Sequence, residues 1–310
     1  MKGRSLISDL QTTFTPDSVR RRLVGMKQLL LICAVVALVG CGEAAKEKAA
    51  KIKAAADARA AAEKKAPETA TIPQQPKTTS EKLITDPIVE KAVRNAVFKP
   101  EGELIEADLE KVFEINLNGT KITDEGLKEL VKLDKLRKLS LLDTQITDEG
   151  LKEVTNLQKL ALLFLAGTKI TDEGLKDVTN LQQLTSIGLE KTKTTDEGLK
   201  EVAHLQKLIY LNLYGTKITD AGLKEVAKLQ KLTFLDLGLT KITDAGLKEV
   251  AKLKNLEMLS FFNTQITDAG LKDVAKLQKL ERLFLSNTQT TDEAVAELKK
   301  ALPQCDITGP

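Results

Sequence analysis

The chain has 310 residues, in which 47 Lys and Arg nearly balance 44 Asp and Glu and leave a formal net charge of +3. So small a charge does not indicate a nucleic-acid-binding protein, for which a basic stripe or a strongly basic domain would be expected. His204 is the single histidine, which argues against His-based metal sites and His-dependent catalytic triads.

The first predicted element, within residues 1–41, is an export signal. Lys27 precedes an apolar run from Leu29 to Val39, which is too short to span a bilayer and has the form of a signal peptide. The sequence LVGC that ends at Cys41 resembles the bacterial lipobox, in which the cysteine is lipidated and becomes the mature N-terminus. This resemblance implies an exported lipoprotein of the cell envelope, anchored to a membrane through Cys41.

Residues 1–25 have two interpretations. Met26 is the true initiator, or an extended signal carries Arg20, Arg21 and Arg22 in the manner of a twin-arginine signal. Cys33 lies in the segment to be removed, so Cys305 is the only unmodified cysteine expected in the mature chain, which leaves no internal disulfide.

Residues 42–82 predict a tether. Ala45 to Ala66 is almost wholly Ala, Lys and Glu, without an apolar stripe wide enough to dock, and Pro67, Pro73 and Pro76 interrupt the remainder of the segment. Such a composition is typical of transient helix and extended linker. Contact of its lysines with anionic lipid or cell wall is the alternative.

Residues 83–111 predict a helical N-terminal cap. Asp86 and Pro87 have the pattern of a helix start, since proline is tolerated in the first turn. Val89 and Val93 continue as an apolar face. A second short helix is expected over 107–111, and the pair would cover the open core of the first repeat beyond it.

Residues 112–302 contain eight copies of a 24-residue unit, seen cleanly in Leu136 to Lys159. Alternating Leu139 and Leu141 predict a short strand, and a turn then leads into a helix with Leu151 and its neighbours at helical spacing. Self-similarity at a fixed period of this length is the signature of a solenoid, because one unit cannot bury its own leucines.

The repeat pattern LxxLxLxxTxITDEGLKEL resembles the leucine-rich repeat, in the 24-residue bacterial variety of the ribonuclease-inhibitor-like class. The resemblance implies an α/β fold: a right-handed solenoid (horseshoe) with a parallel β-sheet on the concave face and helices on the convex face. It also implies a protein-binding scaffold. Residues 83–111 resemble the N-terminal caps of such proteins, and 303–310 would close the other end.

Three residue types recur at fixed places in the unit. Thr144 and its counterparts stand where this class usually carries Asn and would bond the backbone of a neighbouring turn. Gly150 and its counterparts would allow close approach between adjacent turns, with an unusual backbone angle as the alternative. Asp148 and its counterparts would act locally as helix-start residues, and a calcium-binding row is the alternative interpretation.

The variable strand positions predict the binding face. In the frame LxxLxLx, three positions per repeat point into the concave side, and six of the ten aromatic residues fall there. Lys138, Glu190, Asp236 and Arg282 are candidates for a polar rim. The candidate binding residues are Phe164, Tyr210, Asn212, Tyr214, Phe234, Asp236, Phe262, Arg282 and Phe284.

The sequence therefore favours a non-enzymatic, monomeric scaffold that binds an unknown protein or peptide on this aromatic face. No cofactor, metal or nucleic acid is expected. Two alternatives remain: a structural spacer of the envelope, whose rings only pack on one another, or a glycan-binding module, whose rings stack on sugars.

Overall fold

The computed structural model describes residues 82–309, which lie within one compact unit, Thr79–Pro310. The predicted signal, the lipidation site Cys41 and all of the predicted tether except Lys82 lie outside the described residues. Within 82–309, no helix is both long enough and apolar enough to cross a membrane.

The described chain begins with two cap helices, α1 (Pro87–Val97) and α2 (Glu106–Leu109). Asp86 starts α1 as predicted, because its Oδ1 accepts hydrogen bonds from the backbone N–H groups of Ile88 and Val89 at 2.8 and 2.9 Å. These amides have no partner within the helix, so the carboxylate satisfies them. The Val89 side chain is fully buried and closes the first repeat.

The strands of the described residues form one open parallel sheet in chain order. Each strand pairs with the next at an offset of 24 residues, so Glu114 lies beside Lys138 and Leu163 beside Ile187. The predicted period is therefore the register of the sheet. The strands are β1 (Glu114–Asn116), β2 (Lys138–Ser140), β3 (Leu162–Phe164), β4 (Ser186–Gly188), β5 (Tyr210–Asn212), β6 (Phe234–Asp236), β7 (Met258–Ser260), β8 (Arg282–Phe284) and β9 (Asp306–Thr308).

A helical segment returns the chain from each strand to the next, as a parallel pairing requires. After α3 and α5 the crossover continues as a 3₁₀ helix, over Lys128–Lys132 and Lys176–Asn180. The sheet lines the concave face and the helices the convex face, as predicted. The helices are α3 (Asp124–Leu127), α4 (Asp148–Val154), α5 (Asp172–Leu175), α6 (Asp196–Val202), α7 (Leu223–Val226), α8 (Asp244–Val250), α9 (Asp268–Val274) and α10 (Asp292–Ala301).

One continuous apolar core lies between the sheet and the helices. In each repeat the central strand residue is buried, and so is the residue two positions after it, such as Leu139 and Leu141. In the second to seventh repeats the leucine and valine of the helical segment, such as Leu151 and Val154, are buried as well. At the far end Leu298, Leu302 and Cys305 are buried and Ile307 of β9 packs against them. The residues of the last crossover thus shield the end of the core.

Adjacent repeats are joined by an aspartate whose role differs from the prediction. Asp220 lies in the turn before α7, yet its Oδ1 and Oδ2 accept hydrogen bonds from the N–H and hydroxyl of Thr243 in the next repeat, at 2.9 and 2.6 Å. The local helix-start interpretation was incomplete, because the carboxylate satisfies groups 23 residues away. The same pair recurs at Asp124–Thr147, Asp148–Thr171, Asp172–Thr195, Asp196–Thr219, Asp244–Thr267 and Asp268–Thr291.

The repeating glycine makes this junction possible. A Cβ placed at Gly246 would lie 2.5 Å from Asp220 Oδ1 and 2.6 Å from Leu223 Cδ1, which is closer than atoms can pack. The predicted close approach between adjacent turns is therefore confirmed. In the cap, Asp86 lies against Gly126 in a similar way, with Oδ2 2.8 Å from the Cβ position.

The repeating threonine bonds within its own turn and is buried in all but the first and last repeats. Thr144 Oγ1 donates to the carbonyl of Leu141, three residues back, at 2.8 Å, and Thr216 donates to Leu213 at 2.6 Å. The predicted bond to a neighbouring turn was wrong, because the hydroxyl proton is used by the carbonyl three residues back in the same turn. The threonine nevertheless satisfies a buried backbone acceptor in each repeat.

The residue before each of these threonines has a positive φ. Glycine occupies this place at Gly119, Gly167 and Gly215, but Leu239 adopts a φ of 54° there. A leucine in this region is strained, since its Cβ crowds the following carbonyl. The Leu239 side chain is also 40% exposed, so burial does not compensate for the strain.

Replacing Asp196 by Ala should lower the free energy of unfolding by about 2 kcal/mol, because the N–H and hydroxyl of Thr219 each lose a partner. Urea denaturation followed by circular dichroism measures the change. Asp292→Ala is the matched control, since Asp292 has the same place in the last repeat but no described threonine one repeat later. Equal losses in both variants would contradict a role for the aspartate between repeats.

Replacing Leu239 by Asn should raise the free energy of unfolding by about 1 kcal/mol, because asparagine tolerates the left-handed region. The chain already carries Asn263 and Asn287 at this place, with φ of 53° and 58°. The reciprocal change Asn263→Leu should destabilise by a similar amount in the same denaturation experiment. If neither exchange changed the free energy of unfolding, the backbone strain at Leu239 would be absent.

Candidate functional site on the concave face

Side chains at alternate strand positions form the concave surface, and the structure places the predicted binding residues there at different depths. Three of the predicted residues, Asn212, Tyr214 and Asp236, are buried within this surface. Arg282 is exposed on β8, toward the end of the sheet. The partly exposed predicted residues are Phe164, Tyr210, Phe234, Phe262 and Phe284.

Three rings meet at the centre of the face, and we call Phe164, Tyr210 and Phe234 the central ring column. Tyr210 and Phe234 occupy paired positions on β5 and β6, and their rings stack with centroids 4.2 Å apart at 13°. Phe164 meets Tyr210 edge to face, with centroids 6.3 Å apart at 76°. The edge-to-face contact is one that aromatic quadrupoles favour, and the close stack adds ring-to-ring contact, so the three rings are packed on one another without a ligand.

The two remaining rings of the central face form a separate pair. The Tyr214 and Phe262 centroids lie 6.4 Å apart at 22°. Tyr214 is only 3% exposed, because its ring lies over Gly238, where a Cβ would be 2.8 Å from Tyr214 Cδ2. The expectation that Tyr214 offers a solvent-facing ring was therefore wrong, and its role is to pack the face.

A second glycine on the face has a similar function. Gly188 leaves space that is filled from two sides, with Phe164 Cδ1 3.1 Å and Glu190 Oε2 2.7 Å from the position of an added Cβ. The glycines Gly188 and Gly238 were not predicted as site residues. A sequence pattern could have identified them: a glycine at a concave position, with an aromatic residue one repeat earlier or a carboxylate two residues away. Gly188 fits this pattern, because Phe164 lies 24 residues before it and Glu190 two residues after it.

Two of the four predicted rim charges are not on a solvated rim. Asp236 is 2% exposed and accepts hydrogen bonds from the Gly238 N–H at 2.9 Å and from the Ser260 hydroxyl. Glu190 folds back over Gly188, and its Oε2 is buried without a hydrogen-bond partner. The prediction failed because these carboxylates lie between neighbouring side chains of a packed surface.

The other two rim charges lie away from the column. Lys138 on β2 forms an ion pair with Glu114 at 2.6 Å. Arg282 is paired in register with Met258 and Asp306, near the C-terminal end of the sheet. The predicted residues thus divide into a central group around the column and an outlying group that includes Arg282.

Burial changes the acidity of the central carboxyls. Burial raises the pKa of Glu190 to about 7, and the negative charge of Asp236 acts in the same direction. A hydrogen bond from the backbone N–H of Glu190 and the positive charge of Lys191 act in the opposite direction. Burial also raises the pKa of Asp236 to about 6, against the hydrogen bonds from Gly238 and Ser260. The Tyr210 pKa is raised by burial and by the charge of Glu190. Charge is therefore costly at the centre of this face.

The rest of the described surface offers less chemistry. His204 is exposed on the convex side, as predicted, beside a depression of about 370 Å³ that Lys200, Glu225 and Lys228 also line. Among residues 82–309, no group of three or more His, Cys, Asp or Glu is placed to hold a metal ion. The concave face remains the candidate binding site.

Comparison with known proteins agrees with this architecture. A family model described as a leucine-rich repeat matches residues 113–131, 133–154, 204–227 and 228–251. The solved structure of internalin C2 from Listeria monocytogenes is similar at 29% identity, with 72% of this chain and 93% of that chain covered and a TM-score of 0.55. The solved structure of another internalin from the same organism is 18% identical, with 72% of this chain and 94% of that chain covered and a TM-score of 0.36. No curated protein matches the chain.

The family-model matches, the internalin C2 match and the open parallel sheet show together that the described chain is an α/β leucine-rich repeat solenoid. The predicted fold is confirmed. Folds of this kind generally serve as scaffolds for protein–protein interaction, and the concave surface described above is the part of this one with an ordered aromatic cluster.

Replacing Glu190 by Gln should make the protein more stable at pH 8 by about 1 to 3 kcal/mol. The pKa of Glu190 is about 7 in the folded protein and 4.5 ordinarily. Its contribution to stability is therefore fully present below pH 4.5, where the carboxyl is protonated, and is lost as the pH rises through 7. The amide stays neutral throughout. Thermal unfolding of both proteins between about pH 5 and 8.5 should show curves that converge at low pH.

The control for this experiment is Glu281→Gln, because Glu281 lies directly before β8 and is exposed. It should follow the wild-type pH profile. A Glu190→Gln profile parallel to that of the wild type would show that the Glu190 carboxyl is solvated.

Proposed function

We propose that this leucine-rich repeat protein is a non-enzymatic scaffold that binds a protein or peptide on its concave face, with the central ring column as the main contact. The observation that carries the proposal is the column itself. Three rings lie partly exposed in one ordered arrangement at the middle of the sheet. Pre-ordered aromatic residues near the centre of a surface are the usual source of binding energy in protein interfaces.

The surroundings of the column support the same function. Tyr214, Asn212 and Asp236 are buried beside it, so the column rests on a packed layer that cannot collapse when a ligand arrives. Asn212 Nδ2 also donates to Tyr210 Oη at 3.4 Å, which orients the phenol. A rigid support reduces the entropy that binding must overcome.

Localisation is part of the proposal. We infer that the chain is exported and anchored by lipid at Cys41, with residues 42–82 as a tether that holds the solenoid away from the membrane. The support is the sequence alone: the apolar run from Leu29 to Val39, the lipobox-like LVGC, and the Ala- and Lys-rich segment after it.

A structural spacer is the second candidate, and one observation favours it. The rings contact one another, and Tyr214 of the Tyr214–Phe262 pair is already withdrawn from solvent. Such packing shields a sheet without any ligand. A glycan ligand is a further alternative for the exposed rings.

The test uses the full chain as bait in a crosslinking pull-down from envelope extract, beside the double variant Tyr210→Ser, Phe234→Ser. Each captured partner is then purified and its Kd measured. We expect the variant to bind at least tenfold more weakly, about 1.4 kcal/mol, because it loses the stacked pair. Tyr214 is left unchanged, since its buried ring supports the fold.

The matched control is the double variant Phe98→Ser, Phe113→Ser, which removes one exposed ring after α1 in the cap and one before β1 in the first repeat. Their side chains are 87% and 50% exposed. The control should bind as the wild type does. Partners bound equally by all three folded proteins, or by none, would favour the spacer. Capture of an envelope polysaccharide that requires the column would favour the glycan ligand.

A further inference from the structure

The centre of the concave face carries acidic groups without basic ones. On strands β3 to β7 and the two residues after each, the concave positions include Glu190 and Asp236 but no Lys or Arg, although the chain contains 47 of these residues. In the described residues, neither carboxyl forms an ion pair. Lys191 acts on Glu190 only at a distance. The negative groups at this centre are therefore not compensated by the protein itself.

Glu190 is the less satisfied of the two carboxyls. Its Oε2 is buried over Gly188, next to the Phe164 ring, and has no hydrogen-bond partner. Asp236, by contrast, is bonded to the Gly238 N–H and the Ser260 hydroxyl. A buried polar atom without a partner is costly and rare in folded proteins. Glu190 as a whole is partly exposed, so a turn of its side chain would bring this oxygen to a donor on a ligand and remove the cost.

The column adds a second attraction of the same sign. The Tyr210 ring lies between Phe164 and Phe234, and both carboxyl charges act on its hydroxyl. The face of an aromatic ring carries partial negative charge and attracts a cation within about 6 Å of its centroid. Rings and carboxyls therefore favour a ligand group that is positively charged and partly apolar.

From this arrangement we infer that the bound protein or peptide inserts a lysine or arginine side chain at the column, where its apolar stem covers the Tyr210 and Phe234 rings and its charged end pairs with Glu190. Asp236 supplies a second negative charge nearby. The inference rests on the proposed function, since it names the chemistry of the partner at that same site.

A metal ion fits this place less well than an organic cation. Two carboxylates are too few for calcium, which takes six to eight oxygen ligands, and a strongly hydrated ion gains little from aromatic rings. A guanidinium or an ammonium on an aliphatic stem is weakly hydrated along its stem and can use both parts of the site.

The experiment begins with a random dodecapeptide display library selected on the full chain. Each enriched peptide is synthesised, together with a version in which citrulline replaces every arginine and acetyl-lysine every lysine. Fluorescence anisotropy then gives the Kd of both peptide versions for three proteins. These are the wild type, the double variant with Tyr210→Ser and Phe234→Ser, and the double variant with Glu190→Gln and Asp236→Asn. Asparagine keeps the hydrogen bond at 236, as Asn212 does to the Tyr214 N–H at 3.0 Å.

The control for charge is Glu125→Gln, Glu173→Gln, which removes two carboxylates from the convex side, where their side chains are 78% and 69% exposed. We expect enriched peptides to carry Lys or Arg and to bind at least tenfold more weakly when neutralised. The double variant Glu190→Gln, Asp236→Asn should bind the charged peptide at least tenfold more weakly than the wild type does, and the neutralised peptide almost equally well. The control should bind both peptides as the wild type does.

The two proposals fail in different ways. Peptides that need the column but bind equally well when neutralised, or equally well to Glu190→Gln, Asp236→Asn, would overturn the inference and leave the scaffold function in place. A charge dependence that the convex control reproduces would overturn it too, as a long-range effect. Peptides that never depend on Tyr210 and Phe234 would overturn the scaffold function at this site, and the inference with it.

Discussion

The structure depends on the hydrogen bonds between an aspartate of one repeat and a threonine of the next. Each carboxylate holds both the N–H and the hydroxyl of its threonine, as at Asp220 and Thr243, and the absence of a side chain at Gly246 brings the turns close enough for this. A short strand contributes few backbone bonds. The junction therefore fixes the spacing of neighbouring repeats where the short strands alone would define it weakly.

This fixed spacing decides what the concave face can be. Because every repeat advances by 24 residues in register, residues one repeat apart become neighbours, and those two repeats apart can meet where the repeat between them carries a small residue. Phe164 reaches Tyr210 because Ser186 and Gly188 stand between them on β4. The face is thus composed across repeats, and its rings could not be ordered if the junctions allowed the turns to slide.

The sequence predicted the features that one repeat contains and missed most of those that arise between side chains of different repeats. The period, the strands, the helices and the close approach at the glycines follow from apolar spacing and composition within one unit. The aspartate was misjudged because a single unit offers it a plausible local role, and its true partner is visible only when two units are stacked. Likewise, the burial of Tyr214 and Asp236 depends on Gly238 and Ser260 in adjacent positions and repeats, so no single repeat contains that information.

The two polar centres of the molecule contrast in a way that bears on function. At each junction the aspartate oxygens accept bonds from the next repeat, and this arrangement serves stability. At the concave centre, Glu190 keeps an oxygen buried and unpaired, and its pKa of about 7 means that stability declines as it ionises. A fold that satisfies its carboxylates at the repeat junctions, yet leaves one unsatisfied beside its most ordered exposed rings, has a local energetic deficit there. A ligand that pairs with this carboxyl would remove the cost, whereas the protein itself does not, since the neighbouring concave positions carry no Lys or Arg.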